Sequence, residues 1–423
     1  MRRVLLAVVA AALACRPSRD RGEFRLRIAL VGPLKAPIPD GEPSATIYAQ
    51  EWVFQPLLRT APDGSAISGL AARFQFSSPA RVVVELREGA KFSDGSAVTT
   101  EDVRRSLRDV GLEVREQPRG LLIESPSGTP VEPILRHEPI YKRTGDTYVG
   151  SGPFRVVSLD PERLLLRRVV PEPGKIDEVL LLGFPTARDP FARTLAGDAD
   201  LLIVTDPKQL EFFQGVSRLR VIRGHGANAI AVAMGLNRLS RAARTAIAGA
   251  LPVESISSLV FGNECPPFSI RGDKGAAMPS RALEVAVLRQ DLALEHTALA
   301  VTRALGRHGG DIRFISVPDA LRLVKSQDFD LLLLRPLVWP PSSAALVWAS
   351  DSPFNPLGYR NPKVDAALKA GDWARALQAL QDDPPVVFIC TPERLAVVDS
   401  RVKNPQVGPY GYLETLPDWE VVE

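Results

Sequence analysis

The chain has 423 residues, 45% of them hydrophobic and 24% charged, with a formal net charge of +3. That length exceeds one ordinary core and allows two or three lobes, each burying its own interior. The composition lies in the soluble globular range and excludes collagen-like and disordered classes, and the near-neutral charge leaves no global footprint for nucleic acid.

The first fifteen residues, "MRRVLLAVVAAALAC", join a basic start (Arg2, Arg3) to an apolar run and small residues before Cys15. This is the pattern of an export signal over residues 1–15. The run is too short for a permanent span, which takes roughly 20 apolar residues. Ala12-Leu13-Ala14 suits general signal cleavage and plain secretion, whereas Leu13-Ala14-Cys15 resembles a bacterial lipobox, with Ala12 where leucine is usual. Lipidation of Cys15 would hold the mature chain to the periplasmic or cell-surface side of a bacterial membrane by burying acyl chains. Outside the cytoplasm Cys265 and Cys390 either pair or remain two buried thiols.

A polar linker at residues 16–22 precedes "FRLRIALVG" (24–32), which alternates as a strand does. "ARVVVELREG" (80–89) is another β-rich run ending at a glycine turn. Scattered Pro and Gly over residues 110–150 predict irregular connections in a small subdomain. "PFRVVSLDPERLLLRRVV" (153–170) reads as a hairpin turning at Asp160-Pro161-Glu162, and "DEVLLLGF" and "DADLLIV" as buried strands flanking a helical stretch. Strand, helix, strand, helix and strand then follow over residues 281–334, an order that implies parallel strands covered by helices. Residues 335–363 read as loop, residues 364–381 as a helix interrupted near Gly371, and "PVVFIC" as a closing strand.

"KFSDGSAVTTEDV" (91–103) sets three acids and four hydroxyls beside a turn-forming Asp-Gly pair. Asp94-Gly95 supplies a turn, and Thr99 stands where its hydroxyl caps a helix whose first turn carries Glu101 and Asp102. The acids are therefore assigned to architecture. An EF-hand would need alternating acids and a glutamate at the twelfth position, and neither is present.

With its neighbours the stretch carries a family signal. "FQPLLRTAPDGSAISGLAARFQF", "VVVELREGAKFSDGSAVTTEDVRRSL", "GSGPFRVVSLDPERLLLRRV", "GLNRLSRAARTAIAGALPVESISSLVFG" and "GYRNPKVDAAL" stand in the order of the motifs of the family 5 extracellular solute-binding proteins, the oligopeptide, dipeptide and nickel class, and resemble them over about residues 24–405. The fourth motif departs at Pro252 or Val253, where the family's aspartate is usual. The resemblance implies a periplasmic-binding-protein-like α/β fold of two lobes joined by a hinge, with a small α+β subdomain inserted in the first. Lobe I is expected from residues 23–45, 146–236 and 390–423, the insert from 46–145 and lobe II from 237–389. The insert looks shortened, with 42 residues between Leu107 and Gly150.

No enzyme constellation is legible. His137, His225, His296 and His308 lack the spacing of a zinc helix, "GHGANA" reads as a turn, and no phosphate loop or nucleophile elbow is present. No cofactor or metal is expected. The resemblance implies an ABC permease and ATPase as partners, a monomer, and a peptide-like or other small ligand in the interlobe cleft. Where peptide-binding relatives place an acid for the ligand's amino group, this chain reads "RPLVWPPSS". Arg335 there would favour an anionic or apolar ligand over a free peptide. Trp339, Trp348, Tyr48 and Phe354 are candidate cleft walls or core residues, and Asn237 matches the family's asparagine at the first hinge crossing. The alternative is a sensory or scaffold lipoprotein that keeps the fold without transport.

Overall fold

The computed structural model describes residues 25–39, 46–61, 63–186, 188–204, 207–224, 226–262, 265, 267, 277–289, 291–338, 343–352, 354–408 and 413–421. Cys15 and Trp339 lie outside the described residues, as does His225.

The first lobe is built on a seven-stranded sheet in the order Phe154–Leu159, Arg163–Arg168, Glu178–Phe184, Arg25–Val31, Leu201–Val204, Arg394–Asp399 and Leu219–Gly224. Its central strand Arg25–Val31 pairs in parallel with both neighbours. The expected hairpin is present: Asp160 Oδ1 accepts from the amides of Glu162 and Arg163, an Asx turn that reverses the chain. Leu26, Ile28, Phe154, Leu181 and Trp419 form the core on one face. Helix Ile47–Val53 adds Trp52, whose indole N–H donates to the Leu413 carbonyl at 2.8 Å. The insert therefore begins beyond residue 54 and not at 46, because Trp52 and Phe54 are buried in the first lobe's core.

The second lobe has a five-stranded sheet in the order Gly309–Ile315, Leu283–Leu288, Leu331–Leu334, Ile230–Met234 and Val386–Cys390. The first three are parallel and joined by helices Leu292–Leu305 and Val317–Ser326, as their sequence order implies. Ile230–Met234 pairs antiparallel with Leu331–Leu334 and Val386–Cys390. This moves the first crossing from the expected Asn237 to a segment that includes residues 226–229, since a strand belongs to the sheet that takes its hydrogen bonds. The second crossing, residues 391–393, lies where "PVVFIC" ends. Cys265 and Cys390 form a disulfide with Cα atoms 5.4 Å apart, which fixes the end of this last strand to the segment after helix Val253–Phe261.

The insert is more regular than residues 110–150 suggest. Strands Glu113–Gln117 and Gly120–Glu124 complete a four-stranded antiparallel sheet with Ala71–Ser78 and Arg81–Leu86. Helices Thr100–Arg108 and Val131–His137 pack on it. Charge hides the first of these strands: in "EVREQ" only Val114 is buried. Residues 91–103 behave as read. Gly95 takes φ +85° in a turn where Asp94 accepts from the Ser96 amide and Lys142, and Thr99 and Asp102 close a capping box on Thr100–Arg108.

The insert's core runs without a break into the second lobe's. Ile123, Val131 and Ile134 belong to one buried cluster with Trp348, Leu368 and Phe388. Thr129 Oγ1 donates to Asp351 Oδ1 at 2.9 Å across the junction.

Candidate functional site

Strand direction locates the cleft. Leu219–Gly224 runs into the first crossing, so the parallel strands of the first lobe, antiparallel to Arg394–Asp399, end on the same side. Ile230–Met234 runs away from the crossing, so the three parallel strands of the second lobe point back toward it. The C-terminal ends of these strands, at Phe184, Val204, Leu288, Ile315 and Leu334, therefore face one another, the arrangement in which open α/β sheets bind ligands.

Between them lies a cavity of about 1290 Å³. The first lobe supplies Pro185, Phe191 and Phe212, and the second supplies Leu292 and Phe314. Phe191 meets Phe212 and Phe213 edge to face, with centroids 5.3 and 5.0 Å apart. Phe213 is buried while Phe212 remains 64% exposed, so the doublet anchors one ring and presents the other. Arg188 and Arg289 enter the same cavity from opposite lobes, and Glu295 is the acid among the described residues that line it.

Arg335 follows the strand Leu331–Leu334 at the cleft end of the second lobe, but its fork is engaged. Nε and Nη2 each donate to Asp291 at 2.9 Å. Asp291 also accepts from the Leu294 amide and so caps helix Leu292–Leu305. Burial raises the Asp291 pKa, while the charge and hydrogen bonds of Arg335 and the amides of Leu294 and Ala293 lower it further, leaving it below the usual carboxylate value. The pair is neutral as a unit, so the argument from a lone Arg335 to an anionic ligand loses its basis.

The other expected site residues do not converge. Trp348 is 1% exposed and packs edge to face on Tyr359 and Phe388, and its indole N–H has no hydrogen-bond partner among the described residues. Tyr48 is half-buried against the first lobe's core. Phe354 is exposed on the loop beyond helix Ala344–Trp348. Asn237 follows the end of Ile230–Met234 that points away from the cleft, where it donates to Ser326. The asparagine at the crossing is Asn228: its Nδ2 donates to the Arg335 carbonyl, and its Oδ1 accepts from Arg394 at the second crossing. Asp383, at the end of helix Trp373–Asp382, pairs with Arg244.

A second cavity, about 910 Å³, lies between the first lobe and the insert and is lined by Glu51, Glu414, His137 and Arg168 among others. Glu51 is reached by solvent through this cavity yet enclosed by protein. That enclosure, and next the charge of Glu414, push its pKa up to about 8 against the pull of Arg394. Burial, and next the charge of Arg136, push His137 down to about 4, so it is neutral at physiological pH. Among the described residues no group of three or more His, Cys, Asp and Glu side chains is placed to hold a metal, and no helix is long and apolar enough to cross a membrane.

The residues that line the interlobe cavity, Phe191, Phe212 and Phe314, went unnoticed in the sequence because isolated phenylalanines read as core. The Phe212-Phe213 doublet was the available signal, since two adjacent large rings on one turn cannot both face inward.

No protein-family model and no curated protein matches the sequence. Solved structures do match in shape. The oligopeptide-binding protein AppA from Bacillus subtilis, in complex with a nonapeptide, superposes with a TM-score of 0.77 at 14% identity over 95% of this chain and 99% of that one. NikA from Staphylococcus aureus, in complex with Ni(L-His)2, gives 0.75 at 15% over 95% and 100%. AgaA from A. tumefaciens R10, in complex with agropinic acid, gives 0.75 at 16% over 95% and 99%. The chain has the two-lobed α/β fold of these binding proteins along nearly its whole length.

Proposed function

We propose that the chain is an extracytoplasmic solute receptor, lipid-anchored through Cys15, that captures a small ligand between its lobes and delivers it to an ABC permease and ATPase. The observation that carries this reading is the cleft: two lobes joined by two crossings, with exposed apolar side chains of both facing one cavity. Closure about the crossings would bury those side chains with the ligand. The structurally similar proteins hold a nonapeptide, a nickel–histidine complex and agropinic acid, so the fold leaves the ligand open.

Native mass spectrometry of protein purified without refolding tests the reading. A copurified small molecule of defined mass, lost when Phe212→Ser and Phe314→Ser are combined, is the expected result. Protein that is empty, and that no solute from a metabolite extract stabilises, would overturn it. Loss of labelling by radioactive palmitate in the Cys15→Ser variant tests the anchor.

A second reading, a sensory or scaffold lipoprotein, is favoured by the unbroken core between the insert and the second lobe, which resists opening. X-ray scattering separates the two, because a scaffold keeps one radius of gyration with and without solute.

A further inference from the structure

The following inference rests on the reading of the interlobe cavity as the solute site. We propose that the solute is an amphiphilic anion, an acyl or aryl body carrying a carboxylate or comparable oxyanion.

The body is argued from the walls. Phe212 is 64% exposed, Phe314 43% and Leu292 38%, and all three line one cavity with Phe191 and Pro185. Apolar side chains of this size, gathered on facing surfaces of two lobes, are costly to leave in water and mark a place where apolar matter is taken up. Phe191 is pinned edge to face between Phe212 and Phe213, which gives the first lobe's wall a fixed shape. The second lobe's wall is fixed by Arg289, whose Nε donates to the Phe314 carbonyl at 3.3 Å.

The head group is argued from charge. Arg188 and Arg289 reach the cavity from opposite lobes, and among the described residues neither forms an ion pair, the Nε of Arg289 donating to a carbonyl. Asp189, next to Arg188, is occupied by the Thr186 hydroxyl at 2.8 Å. Glu295 is the acid among the described residues of the lining. Two guanidiniums without an ion pair, one on each facing lobe, attract an oxyanion and repel a cation. Asp291, which lies beside this end of the second lobe, is held by Arg335 and offers no open carboxylate to a peptide amino terminus. The two arginines, one on each lobe, make the anion a bridge that closure would tighten.

The test uses secreted Cys15→Ser protein in detergent-free buffer and calorimetric titration with dodecanoate, dodecanol, dodecyltrimethylammonium and trialanine, all below their aggregation limits. Dodecanoate is expected to bind about tenfold or more tighter than dodecanol, the scale of one charge-assisted contact, and tighter still than the other two. In the Arg188→Ala variant, which leaves the Arg289 contact to Phe314 in place, the dodecanoate preference over dodecanol falls while dodecanol affinity is kept. In Phe212→Ser all three tailed probes weaken. Equal or tighter binding of dodecyltrimethylammonium or trialanine overturns the anion while leaving the solute receptor standing. If no probe binds, the copurified molecule decides: an amphiphilic anion supports the inference and any other solute overturns it. An empty protein that no extract stabilises overturns the receptor reading itself.

Discussion

At the scale of single residues, Asp291 shows how a charge expected to read a ligand is spent inside the protein. Its carboxylate holds Arg335 and caps a helix. Asparagine keeps the cap and removes the charge, so Asp291→Asn isolates the ion pair. Both partners are partly exposed, at 23% and 30%, and the loss is expected near the lower end of about 1–3 kcal/mol. Because the folded-state pKa of Asp291 is depressed, this stabilisation is present above the ordinary carboxylate value, near 4, and is lost as pH falls through the lower folded value. Urea titrations at pH 7 and pH 3 should therefore show wild type and variant converging in acid; a constant gap would show that the charge is not the cause. Glu51 has the opposite sign. Its folded pKa of about 8 lies above its unfolded value, so the folded state holds the extra proton and stability falls as pH rises from about 4.5 to 8. Glu51→Gln should flatten the decline in melting temperature across that window and exceed wild type at pH 8.5. A parallel pair of melting curves would mean that Glu51 ionises freely.

At the scale of elements, the capping box and the disulfide carry separable stabilities. Thr99→Ala removes the acceptor for the Asp102 amide and should cost about 1 kcal/mol without altering the ligand's charge preference. The Cys265–Cys390 bridge closes a loop of 125 residues, and removing it should cost on the order of 4 kcal/mol. Denaturation with and without reductant measures that directly; equal midpoints would show the bridge to be unformed in the purified protein. Strands, turn and cap were legible because they rest on local periodicity and local hydrogen bonds, as in 25–31, 91–103 and 281–334. The crossing was not. "IAVAM" is buried on both faces and reads alike in either lobe, so only its partners Leu331–Leu334 and Val386–Cys390 place it. The cleft position of Arg335 was likewise legible at a strand end, whereas its partner, 44 residues earlier, depends on tertiary contact.

At the scale of the whole molecule, binding between lobes requires the crossings to bend and the insert to yield. The crossings are in close contact: a Cβ on Gly226 would stand 2.3 Å from the Pro392 carbonyl oxygen, and Asn228 joins Arg394 to the Arg335 backbone. Gly226→Ala must therefore push the two segments apart, changing the angle between lobes without touching the cavity lining. The second restraint is the junction of insert and second lobe, where Thr129 donates to Asp351 beside the shared core. Opening wider than this arrangement must break that bond and expose part of that core, so the junction limits how far the empty lobes part and slows solute exchange. Thr129→Val removes the bond and keeps the side chain's shape, which lowers the cost of opening. Small-angle scattering should then show a larger radius of gyration for ligand-free Thr129→Val than for wild type, with the difference abolished by saturating solute. Faster solute release in stopped flow should accompany it. If the two proteins scatter identically when empty, the junction is not what holds the lobes together, and the exchange rate must be set at the crossings, where Gly226→Ala would reveal it.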